Sequence, residues 1–216
     1  GFIITREMLE DDQYDMISSR RSKGLAFSMR QTKETVAANI LNRGFNDSYA
    51  GPDGVALLSD AHTHYSSQAT WRNELATAVD LSEAALEQAC IDIAAFTTDR
   101  GLKIPVQPQK LIVPPELEFE AARILKSLNQ AGTANNDINA LRVMNMFPGG
   151  VAVNHYRAGS GTDAWFVRTN CPRGMIGYDR RSVPLKREND FDTMNLKCMS
   201  YERYSFGWTD PRGLYG

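Results

Sequence analysis

From Thr193 to Trp208 the chain alternates. Even positions read Met194, Leu196, Cys198, Ser200, Glu202, Tyr204, Phe206 and Trp208; odd positions include Thr193, Asn195, Lys197, Arg203, Ser205 and Gly207. A side-chain period of two is what a half-buried strand requires. The run is 16 residues long, where a typical strand has about 5 to 6. Unbroken, it would reach about 50 Å at roughly 3.3 Å per residue. A compact domain of this length has a radius of gyration of about 17 Å. The run therefore predicts an elongated subunit with long sheet edges, and such edges need neighbours. Beyond it, Thr209–Gly213 reads as a turn-rich end.

Composition narrows the class. The chain has 216 residues, 42% hydrophobic and 23% charged, an ordinary globular balance that argues against disorder. No window approaches the roughly 18 apolar residues of a membrane span. The net charge of −2 argues against a dedicated nucleic-acid binder while leaving room for weak contact. Cys90, Cys171 and Cys198 lie far apart with no C-x-x-C pair. A zinc knuckle or redox motif is therefore not expected, and buried thiols in a reducing compartment are. The chain opens Gly1-Phe2-Ile3-Ile4-Thr5, already inside an apolar, strand-like run and without methionine. Natural starts are more often polar and frayed, so the expectation is that the natural start lies upstream.

Asp12–Arg43 reads as one long helix, capped by Asp11 or Asp12 and with Asp15 near the positive end of its dipole. Tyr14, Ile17, Leu25, Met29, Val36 and Ile40 recur at helical spacings, but Arg21, Ser22 and Gly24 break any heptad. The expectation is a helix lying along the outside of a sheet, beside the long final strand. Gly44 suits the residue after its end, in a positive-φ conformation, and Gly132 is expected to close a later helix in the same way. Phe45–Val79 is loop-rich. Asp80 and Glu83 make a capping-box-like start to a second helix, buried along Leu86, Cys90, Ile93 and Phe96. Lys110–Val113 is a short buried strand. Pro114-Pro115 stops it and opens a third helix, with an apolar face of Leu117, Ala121, Ile124, Leu125 and Leu128. Thr133–Asn139 is a polar, asparagine-rich loop. Val151–Arg157 and Asp163–Thr169 read as strands joined into a hairpin by Ala158–Thr162, and Met175–Tyr178 and Val183–Arg187 as further short strands. The fold class expected is α+β.

Candidates for chemistry are few. Asp60, His62 and His64 could place two imidazoles on one side of a strand, the arrangement of a metal-dependent hydrolase. Polar loop histidines are the simpler expectation, and His155 is expected to be a hydrogen-bonded structural residue in a strand. No G-x-S-x-G, G-x-x-x-x-G-K-[ST] or strand-coupled G-x-G-x-x-G occurs. Gly159-Ser160-Gly161 reads as a hairpin tip. Arg168, Arg173, Arg180, Arg181, Lys186 and Arg187, with Tyr178, form a basic cluster. It suits a solvated or inter-subunit face, or a weak nucleic-acid-binding module. No catalytic residue, cofactor or metal ligand is assigned.

Several segments together resemble a known family. They are Gly1–Met8, the long helix, Asp53–Leu58, Leu75–Leu81, Lys110–Pro115, Asn136–Ala140 and Glu202–Trp208. In this order they closely resemble the major capsid proteins of tailed bacteriophages with the Hong Kong 97-like fold, collinearly over essentially all of the chain. The resemblance implies a spine helix and a long strand in a peripheral domain, residues 1–79 and 188–216, and an α/β axial domain, residues 80–187. It implies homo-pentamers and homo-hexamers in an icosahedral shell around double-stranded DNA, touched non-specifically, with no enzymatic activity, no cofactor and no membrane. It places Thr133, Asn135, Asn136, Asp137 and Asn139 as subunit contacts near the local axes. Scaffolding, portal and decoration proteins are further partners of such shells, which assemble in the host cytoplasm. The N-terminal arm and extended loop of that family are not recognised in this sequence.

Overall fold

The computed structural model describes residues 1–11, 14–130, 137–157 and 163–216. The elements in chain order begin with β1 (Phe2–Ile4), α1 (Arg6–Glu10) and α2 (Tyr14–Asn42). A hairpin pair β2 (His62–Thr63) and β3 (Thr70–Trp71) follows, then α3 (Glu83–Ala94), β4 (Pro108–Val113), α4 (Glu118–Lys126) and α5 (Ala140–Val143). The rest is strand: β5 (Val151–Val153), β6 (Phe166–Thr169), β7 (Met175–Arg181), β8 (Leu185–Asn189), β9 (Leu196–Ser200), β10 (Arg203–Trp208) and β11 (Leu214–Tyr215). Helix and sheet are mixed, as expected for the class. Among the described residues no helix is long and apolar enough to cross a membrane.

The chain divides into two compact units. The first comprises Gly1–Ala37 and Gly177–Phe206. Here β9 is central, flanked by β1 and β8, both antiparallel. β7 and β10 form a separate two-stranded ribbon. The expected unbroken final strand is therefore two strands, interrupted at Tyr201–Glu202. The alternation survives the break because both halves keep one face inward while their pairing partners change. The strand also starts later than expected. Asp190–Asn195 is a tight turn from β8 into β9, held by Met194 N to Asp190 O at 2.8 Å and Asp190 N to Asn195 O at 2.9 Å. Met194 takes a φ of +54° to close it. Thr193 donates to the Asp190 carboxylate at 2.6 Å and Lys197 pairs with it at 2.9 Å, which holds that carboxyl below its ordinary range.

The first unit buries little. Ile4, Ser18 and Cys198 are its buried residues among those described, while Met16 and Phe27 of α2 stand in solvent. The helix is instead tied down by polar contacts. Arg21 donates to the Ile3 carbonyl at 2.7 Å, and Lys33 pairs with Asp179 of β7 while lying 5.3 Å from the Tyr204 ring of β10. Its sequence is too polar for an apolar stripe to fix it, which is why periodicity there was weak. An unexpected helix, α1, precedes it, and Asp11 ends α1 through its N–H to Glu7 O at 2.9 Å instead of capping α2. Asp12 lies outside the described residues.

The second unit, Ala38–Ile176 and Gly207–Gly216, holds the larger core. Its sheet runs β11-β6-β4-β5. β4 is parallel to β5 and antiparallel to β6. This corrects the expected hairpin: β5 and β6 are not partners, because β4, with Leu111 and Val113 buried, sits between them. Strand spacing in sequence could not reveal that intruder. Residues 158–162, the expected hairpin tip, lie outside the described residues. One sheet face carries Leu111 and Val167 and packs on α3 and α4 through Leu86, Ile93, Ala121 and Ile124. The other carries Phe166 and Leu214 against Leu41, Leu57 and Leu58.

Helix ends differ from expectation in instructive ways. Ser82, not Asp80, caps α3, its hydroxyl accepting from Ala85 N at 3.2 Å. Phe96 lies beyond the end of α3 yet remains buried. α4 ends at Lys126, so Leu128 is exposed and not part of its face. Gly44 does not take a positive φ. Its role is proximity: an added Cβ would lie 3.2 Å from both the Leu41 carbonyl and the Leu58 side chain. Gly132 lies outside the described residues.

Candidate functional site

His62 and His64 are buried and bonded within the fold. In the β2–β3 pair, His62 stands opposite Trp71. His62 is fully buried, with Nδ1 2.6 Å from Asp53 Oδ2 and Nε2 3.1 Å from Asn73 Oδ1. Its ring stacks on Trp71 at 4.7 Å, and His64 lies 6.2 Å from the same ring. His64 Nε2 meets Thr97 Oγ1 at 3.3 Å. Both nitrogens of His62 are thus engaged by protein atoms, and Asp60 is exposed while both imidazoles are buried. Among the described residues no three His, Cys, Asp or Glu side chains gather as metal ligands would. The arrangement does not provide the open imidazoles that a hydrolytic metal site needs. His155 is exposed in the turn after β5 and not within a strand, contrary to expectation.

What gathers around Trp71 carries no local sequence signal. Arg212, 8% exposed, lies over the indole at 4.6 Å. It donates to Thr97 O at 2.9 Å and pairs with Asp99 at 2.9 Å and Asp210 at 3.2 Å. Asn73 is fully buried and saturated. It donates to the carbonyls of Leu57, Pro211 and Leu214 at 2.8, 3.0 and 3.1 Å, and accepts from Ser59 N at 3.0 Å. A single amide therefore ties the Leu57–Ser59 loop to the last strand. No local motif marks Asn73 or Arg212, because their partners are distant in sequence.

The basic cluster divides. Arg180, Arg181, Lys186, Arg187 and Tyr178 belong to the first unit, where Arg181 lies over the Tyr201 ring at 5.2 Å. Arg168 and Arg173 belong to the second, where with Lys110 they line a groove of about 520 Å3. Gln109, Thr169, Asn170, Gly149, Gly174 and Gly213 are among its other lining residues, and no carboxylate is. Lys110, which reads in sequence only as part of a short strand, joins them through strand register.

Of the expected axial-loop contacts, Thr133, Asn135 and Asn136 lie outside the described residues. Asp137 is exposed, and its carbonyl accepts from Gln130 N at 2.8 Å. Asn139 is buried and works inside the subunit: its side chain caps α5 by accepting from Arg142 N at 3.2 Å and donates to the Ile124 carbonyl. An antiparallel bridge between Asn129 and Ile138 closes the loop's base. Around it Phe119, Leu128, Ile138, Val143 and Met144 are each more than 60% exposed, the kind of apolar surface that contacts between chains use.

Two of the thiols, Cys90 and Cys171, are suppressed. Burial pushes Cys90 up to about 11, helped by the Glu87 charge. Burial and then Asp210, 3.4 Å from the sulfur, push Cys171 to about 11. At pH 8 only about one thiol in a thousand is ionised at such values, against about a quarter in an unfolded chain. Iodoacetamide should therefore label both at least roughly a hundredfold more slowly in the native protein than in denaturant, as read by peptide mass spectrometry. Equal rates would contradict these environments.

A family model described as phage capsid protein matches residues 1–216. Among solved structures, the crystal structure of a virus-like particle from Pyrococcus furiosus matches over 99% of this chain and 72% of that one, at a TM-score of 0.48 and 15% identity. A search of curated proteins finds no match.

Proposed function

The chain belongs to the phage capsid protein family, and from that premise we propose that it is the major subunit of an icosahedral head of a tailed phage, with the Hong Kong 97-like fold. In this reading copies form homo-pentamers and homo-hexamers, and the closed shell encloses double-stranded DNA that the subunits touch non-specifically. The observation that carries the proposal is the family match along the whole chain. Open strand edges and large exposed apolar side chains support it, since both are satisfied by neighbours.

Residues 1–79 and 188–216 serve as the peripheral domain and 80–187 as the axial domain. The loop bearing Thr133, Asn135, Asn136 and Asp137 approaches the local axes, with Asn139 holding its base. Scaffolding, portal and decoration proteins are its further partners during assembly in the host cytoplasm. The protein carries no catalytic residues.

Electron microscopy of the purified full-length protein is the direct test. Rings or closed particles are expected as concentration rises; a persistent monomer under all assembly conditions would overturn the reading.

A further inference from the structure

We infer that the Lys110–Arg168–Arg173 groove is a socket for the carboxylates of a second copy of this chain, supplied by Glu116, Glu118 and Glu120. The inference rests on the shell reading above and names one contact within it.

The groove is a cost inside one subunit. Lys110 of β4 and Arg168 of β6 are direct cross-strand partners. Paired residues of an antiparallel ladder share a face with Cβ atoms about 5 Å apart, and like charges so placed destabilise the sheet. On this face the apolar pair Ile112 and Phe166 sits two residues along, so the cations lie where the apolar cluster ends. The Lys110 stem runs close to Gly149, where an added Cβ would lie 3.2 Å from Lys110 Cβ and 3.0 Å from its Cε. Neither Lys110, Arg168 nor Arg173 has an ion-pair partner among the described residues. Cations that line one groove with no carboxylate among its walls can receive an anion from outside.

The complementary charge lies on the same unit, out of reach. Glu116, Glu118 and Glu120 are exposed and have no ion-pair partner among the described residues. Two of them favour the start of α4 through its dipole, but that leaves the groove unanswered. β4 is about 20 Å long at roughly 3.3 Å per residue. Lys110 is the third of its six residues and Glu116 follows its exit at Val113. The cationic socket thus sits at mid-strand and the anionic turn beyond the exit, and the two do not pair within one chain. Successive copies placed head to tail can bring them together, and such contacts close into rings when the rotation permits. The match of three cations to three carboxylates, on a chain of net charge −2, favours this occupant over nucleic acid, which spreads its phosphates along a broad basic face.

The test uses the full-length protein and the concentration at which half of it assembles, read by mass photometry. Lys110→Gln/Arg168→Gln removes the cross-strand repulsion, so it should melt at or above the parent temperature yet need about tenfold more protein to assemble. Lys110→Glu/Arg168→Glu and Glu116→Lys/Glu118→Lys/Glu120→Lys should each fail to assemble, while the chain carrying all five reversals should assemble again. Assembly of the parent that is indifferent to both double variants overturns the socket and leaves the shell reading standing. If the double variants assemble normally but lose binding to a short duplex DNA, the groove serves nucleic acid and the inference is wrong. A parent that never assembles removes the shell reading, and the socket with it.

Discussion

Gly213→Ala should lower the stability of the subunit by at least about 3 kcal/mol, or very roughly 10 °C in Tm. Gly213 and Gly174 meet backbone to backbone. A Cβ on Gly213 would stand 2.4 Å from the Gly174 Cα, and one on Gly174 2.7 Å from the Gly213 Cα. Side chains can swing aside; a main chain held on both sides cannot. On the Gly213 side, Thr169 Oγ1 fixes the Arg212 carbonyl at 2.6 Å. On the Gly174 side, Thr209 N donates to the Gly174 carbonyl at 3.1 Å. Gly24 is the contrast. It lies within α2 with nothing within 4 Å of an added Cβ, so Gly24→Ala should stabilise by about 0.5–1 kcal/mol through helix propensity alone. Thermal melts of the two variants should therefore move in opposite directions. A Gly213→Ala protein that melts with the parent would mean the two segments separate without loss.

The second large effect is expected at Asn73. Replacing it with leucine keeps the branched shape but leaves the Leu57 carbonyl, the Ser59 amide and one nitrogen of His62 without this partner, and takes a donor from the Leu214 carbonyl and from that of Pro211, which keeps the Leu214 N–H. Each buried polar group left without a partner costs about 1–3 kcal/mol. Even with partial relaxation the loss should exceed about 4 kcal/mol, the range reserved for broken buried networks. Asn73→Asp should be as damaging, because it turns a donor facing three carbonyls into an acceptor. Urea denaturation of both variants measures this. A loss below about 1 kcal/mol would show that water replaces the amide.

What the sequence revealed, and what it hid, follows from how local each signal was. The β4 strand, its Pro-Pro stop and the α3 core face were readable because apolar spacing and proline act within a few residues. The identity of strand partners was not. The alternation of Thr193–Trp208 survives a change of sheet at Tyr201–Glu202, so period alone made two strands look like one. β5 and β6 looked like a hairpin because nothing local says that β4 lies between them. The polar hub around Trp71 escaped for the same reason. Arg212 reaches Asp99 across 113 positions and Asn73 reaches Leu214 across 141. The histidines were visible as residues, but their burial and partners depended on that hub. The groove was half seen: Arg168 and Arg173 stood out as charge, whereas Lys110 joins them only through register.

The clasp beneath residues 131–136 has a consequence for tolerance of change. Asn129 pairs with Ile138, Gln130 N bonds Asp137 O at 2.8 Å and Asn139 N bonds Leu128 O at 3.2 Å. The two chain ends are thereby fixed next to each other whatever joins them. Closure entropy grows only slowly with contour length, about 0.6 kcal/mol per doubling. A foreign peptide grafted between Gln130 and Asp137 should therefore leave the folding of the single subunit nearly unchanged, so that any loss it causes is a loss of assembly alone.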